Sequence, residues 1–205
     1  MNLPNKLTLG RIISIPFFVL FLTYNFFYDP NISRIVAATL FIAASFTDFL
    51  DGHLARSRNL ITDFGKFMDP LADKFLIIGS MFAICFSDYI FDYKSVGFYT
   101  DVSSDFLRQL FFWCAIVVVF RELAVTSMRL VVVKSSGAVI AASSLGKIKT
   151  VTQIIAISVV MLEPVIFPFF RGWFTLVSTV AMLFFTVLSG INYIKSYWQF
   201  IDTNK

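Results

Sequence analysis

Histidine and cysteine are almost missing from this chain, with one histidine and two cysteines in 205 residues. Cys85 and Cys114 both lie in apolar stretches, so neither a disulfide framework nor a thiolate metal site is implied. Charge is also sparse: only 15% of residues are Asp, Glu, Lys or Arg. The net charge of +4 invites a nucleic-acid reading, but the basic residues form no run, and no nucleic-acid partner is expected. No internal repeat or low-complexity tract is present. The apolar run from Ile12 to Phe27 lacks a good small-residue cleavage site, since Thr23-Tyr24-Asn25 follows its core, and it reads as a retained first span.

What the chain does have is apolar surface. Hydrophobic residues make up 58% of it, against about 45–50% in a soluble domain. Mean hydropathy is +0.79, too high for a chain that must coat itself in water. The 26 phenylalanines suit lipid-facing and packing positions. Six apolar stretches approach the ~20 residues needed to cross a hydrocarbon core. They fall near Leu9–Tyr28, Ser33–Leu50, Met68–Phe86, Leu110–Val133, Ile148–Leu162 and Trp173–Ile194. Turn residues separate them: Asp29-Pro30-Asn31, the segment from Asp88 to Asp105, Ser135-Ser136-Gly137, and Glu163-Pro164 through Arg171-Gly172.

Lys and Arg positions orient the spans. With both termini inside, 13 of the 17 basic residues fall on the inner side, and only Arg34, Lys94, Arg108 and Arg171 fall outside. This is the positive-inside bias.

Acidic residues carry the chemistry. From the second span into the third the sequence places Asp48, Asp51, Gly52, Ala55 and Arg56, then Gly65, Asp69 and Asp73. At roughly 100° per residue the first five share one broad helix face, and the last three, spaced by four, form a stripe on the next helix. Ionised carboxylates near a bilayer cost at least about 2.5 kcal/mol each and need a reason to be there. Cations neutralising four converging carboxylates supply one. Oxygen ligands without His or Cys favour Mg²⁺, Mn²⁺ or Ca²⁺ over zinc, and one bridging carboxylate gives room for two ions, the arrangement used in phosphoryl transfer. Glycines at 52 and 65 let a ligand approach the backbone. A lone Asp-x-x-Asp means little. Eight residue types at fixed spacings match by chance on the order of once in a billion starts, so this pattern is specific.

With those residues in place, Asp48 to Asp73 resembles the signature of the CDP-alcohol phosphatidyltransferases, D-x2-D-G-x2-A-R-x8-G-x3-D-x3-D, and fills every position of it. The resemblance implies an all-α integral membrane protein, a six-transmembrane-helix bundle occupying 1–205 as one catalytic domain. It implies a cytoplasm-facing site, a homodimer and displacement of CMP. It makes Asp48, Asp51 and Asp69 ligands of two divalent cations, Mg²⁺ or Mn²⁺. Asp73 becomes the general base toward the acceptor hydroxyl, with a contact to the second metal. Gly52, Ala55, Arg56 and Gly65 would line the CDP site, with Arg56 reaching its phosphates.

Further blocks are similar to the bacterial phosphatidylglycerophosphate synthase branch of that family. They are Pro4 to Arg11, Gly65 to Lys74, Arg121 to Arg129 and Gly146 to Thr150; Ser127 stands where that branch often has Gly. Physical reasoning agrees. Arg121, Val125 and Arg129 share a helix face, and Lys147 and Lys149 begin the next helix at the same side. A buried arginine calls for an anion, and guanidinium pairs well with phosphate oxygens. These four cations are therefore candidates for binding the phosphate of glycerol 3-phosphate. The plainer alternatives are that Arg121 pairs with Glu122 and that Lys149 is an inner-edge anchor.

Other residues have plainer readings. His53 points off the metal face and is read as structural. Asn5, Thr8 and Arg11 either cap and anchor the first helix, or Asn5 and Thr8 touch the nucleotide. Pro70 removes one backbone bond near Lys66 and shapes the start of the third span. Trp113, Trp173 and Trp198 read as interface anchors.

The expected reaction takes CDP-diacylglycerol and glycerol 3-phosphate to phosphatidylglycerol phosphate and CMP, in the bacterial cytoplasmic (inner) membrane and among membrane lipid. Rival readings are the same family with serine, inositol phosphate or phosphatidylglycerol as acceptor, and a divalent-cation transporter. The carboxylates crowd one membrane edge without a repeat, which disfavours transport.

Overall fold

A computed structural model describes residues 3–57, 63–94, 101–136 and 144–198, with the backbone alone for 3–7, 48–57, 63, 64, 66 and 133–136. The described residues form six α-helices: α1 Leu3–Thr23, α2 Pro30–Ser57, α3 Asp63–Phe86, α4 Ser104–Ser136, α5 Ser144–Ile166 and α6 Trp173–Tyr197. Four of them, α2 over Pro30–Thr47, α4 over Ser104–Val132, α5 and α6, are apolar enough over a sufficient length to cross a membrane. The helices run alternately up and down, so the connections cluster at two ends. The side-chain bonds given below link elements only within each end.

Large apolar residues face both ways. Phe18 stacks on Phe41 with ring centroids 5.8 Å apart, and Leu22, Met81, Ile84, Phe111, Ile157 and Met182 fill the interior. Ala37, Ala38, Ala115 and Ala156 are buried at closely packed helix contacts, as small residues are in membrane bundles. Phe17, Phe46, Phe75 and Phe184 point outward, and Phe120 is 74% exposed. A surface this apolar belongs in lipid.

The helix boundaries differ from expectation in instructive ways. The first helix starts at Leu3 and stops at Thr23, so Asn5 and Thr8 lie inside it and do not cap it. Arg11 is 3% exposed, which rules out a snorkelling anchor role. Trp173 opens α6 and Trp198 just follows it, both exposed, as anchors should be. Trp113 is exposed too, but it sits nine residues into α4. That is about 14 Å along the axis from the helix start.

The far end is tied down through main-chain groups. Asp29 accepts a bond from the Asn31 amide at 2.8 Å just as Pro30 opens α2, a helix start in which proline loses nothing. The fully buried Arg34 donates to the carbonyl oxygens of Tyr89 and, at 2.7 Å, of Asp92. Tyr89 donates its phenol proton to the Phe21 carbonyl at 2.6 Å. The segment after α3, expected as a plain loop, is therefore packed, with Ile90 and Tyr93 buried.

Glu163 lies within α5, not in the following turn, and is 1% exposed. Its carboxylate accepts from the amides of Gly172 at 2.8 Å, Thr175 at 2.7 Å and Phe174 at 3.3 Å, capping α6. Burial holds the Tyr93 phenol above its ordinary range, so it stays protonated beside Glu163 and Thr175. Gly172 makes this possible. Its φ of +93° suits glycine, and a Cβ there would stand 3.0 Å from Leu107.

Glu163→Ala leaves three amides without their acceptor. The expected cost is about 3 kcal/mol, read as a lower unfolding midpoint in detergent, with Glu163→Gln recovering part of it.

Candidate active site

Counted from the far end of each helix, the expected site residues fall at one level. Asp48 is 18 residues from Pro30, Asp69 is 17 from Phe86, Arg121 is 17 from Ser104, and Lys149 is 17 from Ile166. At 1.5 Å per residue this level is about 25 Å from the far end, near the edge of a hydrocarbon core of about 30 Å. Asp48 is the first charged residue of α2 after Arg34, at the end of the uncharged run from Ile35 to Thr47.

The acidic half is built by α2 and α3. Asp48, Asp51, Gly52, Ala55 and Arg56 lie on the last turns of α2, as does His53; their side chains are outside the described residues. The α3 stripe is described. Gly65 is buried, Asp69 is exposed and Asp73 half-buried, each one turn after the last. Pro70 falls inside α3, where its missing amide frees the Lys66 carbonyl. From α1, Thr8 donates its hydroxyl proton to Asp69 Oδ1 at 2.7 Å. Thr8 is thus a positioning contact of the carboxylate set, and the spacing of the aspartates gave no sign of it. Asn5 lies one turn earlier on α1, its side chain outside the described residues.

The basic half is built by α4 and α5 around a residue that sequence reasoning treated only as a possible partner. Glu122 Oε1 accepts from Lys149 Nζ at 2.6 Å and from Arg121 at 3.1 Å. Lys149 is buried, so it is no edge anchor, and the Arg121 and Glu122 side chains are each 13% exposed. Arg121 does pair with Glu122, yet its Nε is buried without a hydrogen-bond partner among the described residues. Two cations share one carboxylate, which leaves one positive charge. Arg129 and Lys147, further toward the helix ends, are exposed.

The two halves are coupled. Lys74 donates to Thr126 Oγ1 at 2.6 Å, and Thr126 donates to the Glu122 carbonyl at 2.7 Å.

Among the described residues no three His, Cys, Asp or Glu side chains converge as a metal group, and Asp48 and Asp51 fall outside that comparison. The described part fits a hard cation nonetheless. Asp69 and Asp73 are stacked carboxylates at the water-facing edge, and the Thr8 hydroxyl orients one of them as supporting groups orient metal ligands.

A family model described as CDP-alcohol phosphatidyltransferase matches residues 1–188. The chain belongs to that family. It is 38% identical to a CDP-diacylglycerol--glycerol-3-phosphate 3-phosphatidyltransferase of Bacillus subtilis, over 99% of this chain and 98% of that protein. It is 34% identical to a probable phosphatidylglycerophosphate synthase of Mycobacterium tuberculosis, over 94% of this chain and 80% of the relative. A Rickettsia bellii protein with the same name as the Bacillus one is 33% identical over 95% of this chain and 94% of its own length. In this member of the family, the carboxylate stripe and the cation cluster occupy one end of one bundle.

Glu122→Ala strips Lys149 and Arg121 of their shared counter-charge. The expected loss is about 3 kcal/mol in unfolding free energy, and adding Lys149→Met should restore part of it by removing the stranded charge.

Proposed function

We propose that this chain is the membrane enzyme that transfers the phosphatidyl group of CDP-diacylglycerol to glycerol 3-phosphate, giving phosphatidylglycerol phosphate and CMP. One observation supports this reading above the others: the Asp69–Asp73 stripe and the Arg121–Glu122–Lys149 cluster lie at the same level and are joined through Lys74 and Thr126. A reaction between a pyrophosphate donor and a phosphate-bearing acceptor needs both. Serine would not call for a second cationic pocket.

In this reading Arg56 meets the donor pyrophosphate, with Gly52, Ala55 and Gly65 leaving room along the helix backbones. Asp48, Asp51, Asp69 and Asp73 would hold two divalent cations, Mg²⁺ or Mn²⁺, which when bound would supply positive charge near the departing phosphate. Arg121 and Lys149 hold the acceptor phosphate, with exposed Arg129 and Lys147 drawing it in from water. Asp73 takes the proton of the primary hydroxyl as that oxygen bonds to the phosphorus carrying diacylglycerol. The bond from that phosphorus to the bridging oxygen breaks, and CMP leaves with the electron pair. An even number of spans would put both termini on one side, and the excess of basic residues there supports a cytoplasmic side for them and for the site.

Purified protein in mixed micelles should release CMP from CDP-diacylglycerol only with glycerol 3-phosphate and Mg²⁺, and chelation should stop it. CMP release with serine but not with glycerol 3-phosphate would show the acceptor assignment to be wrong. Asp73→Asn keeps the shape and removes the base, so kcat should fall by about a thousandfold. Arg121→Ala should raise KM for glycerol 3-phosphate by about tenfold or more while leaving KM for the donor little changed.

A further inference from the structure

The cation cluster has a wall that none of the charged residues supplies. Gly190 on α6 is 17 residues from Trp173, which sets it at the level of Arg121 on α4. A Cβ built on Gly190 would stand 3.2 Å from Arg121 Cγ and 4.0 Å from its Nε. Nothing on the α6 side of Arg121 could be bulkier without displacing the arginine stem. The stem has little freedom to yield, because its guanidinium is tied to Glu122, and the same Glu122 oxygen holds Lys149. Beside Gly190, the Nε of Arg121 is buried and has no hydrogen-bond partner among the described residues, so it keeps a donor that a bound anion could take.

We propose that Gly190 is a positioning residue for the acceptor. By having no side chain, it lets the Arg121 stem lie against α6 and thereby aims the guanidinium at the acceptor phosphate. The inference rests on the acceptor reading given above. Position 190 lies beyond the span matched by the family model, which ends at 188. A glycine that merely eased helix packing would be expected to have backbone as its nearest neighbour; here both near atoms belong to the one side chain read as binding acceptor.

Gly79 on α3 is an internal control. A Cβ there would meet Val19 at 3.7 Å and Ile15 at 3.9 Å, which is ordinary contact.

The test is steady-state kinetics on Gly190→Ala, Gly79→Ala, Arg121→Ala and the Arg121→Ala/Gly190→Ala pair. Gly190→Ala should raise KM for glycerol 3-phosphate about tenfold, the scale expected of a misplaced binding group, with kcat and donor KM little changed. Gly79→Ala should leave all three constants alone. In the Arg121→Ala background, Gly190→Ala should add nothing, because the methyl fills the space the arginine left.

Unchanged acceptor KM in Gly190→Ala, alongside a raised KM in Arg121→Ala, overturns the inference and leaves the proposed function standing. Unchanged KM in Arg121→Ala sinks the acceptor reading and the inference together. Should Gly190→Ala alone not fold, the double variant decides. Recovery of folded protein locates the clash at Arg121, and continued misfolding overturns the proposal.

Discussion

One carboxylate oxygen, Oε1 of Glu122, holds a cation from each of two helices, and the arrangement of the whole site end follows from that sharing. Lysine and arginine side chains with this little exposure would be ruinously costly without a counter-charge. With it, α4 and α5 are tied together at the level of Asp48 on α2. Lys74 and Thr126 extend the same register to α3, which carries Asp69 and Asp73. Thr8 extends it to α1. Apart from α2, whose side chains at this level lie outside the described residues, each helix that brings charged groups here is held by a polar contact made there, and Gly190 adds α6 by close approach.

The two ends of the bundle use polar side chains differently. At the far end, Arg34, Glu163 and Tyr89 bond to main-chain carbonyls and amides, so their partners do not change with protonation or ligand. That end behaves as a fixed base. At the site end the described charged groups bond chiefly to one another and to hydroxyls, and partners of that kind can be exchanged for a bound anion or cation. A rigid base and an exchangeable rim suit a catalyst that must hold its helices still while its ligands turn over.

The α3 part of the acidic half was legible because its information is local: a spacing of four residues puts Gly65, Asp69 and Asp73 on one helix face before any packing is known, while the side chains of Asp48 and Asp51 lie outside the described residues. The apolar runs located all six helices. The basic half was legible only in part. Arg121 and Lys149 could be picked out by charge in an apolar setting, but the role of Glu122 depends on a contact across 27 residues of sequence. Glu163 had a weaker signal, a carboxylate ending an apolar run, and its partners at 172, 174 and 175 belong to another helix. The α1 boundary was misplaced because the polar stretch from Asn5 to Thr8 interrupts the apolar run, and its place in the helix shows only once Asp69 is seen to accept a hydrogen bond from Thr8.

The junction at Thr47–Asp48 has a consequence for how such a site samples its donor. Ile35 to Thr47 of α2 carry no charge and Asp48 follows them, so a lipid head group bound at the carboxylates would keep its acyl tails in the leaflet. For a donor handled in that way, the concentration governing encounter is its mole fraction in the surrounding bilayer, not its amount per litre. Dilution with inert lipid or detergent then slows the enzyme at constant total substrate, and the soluble acceptor alone obeys ordinary bulk saturation.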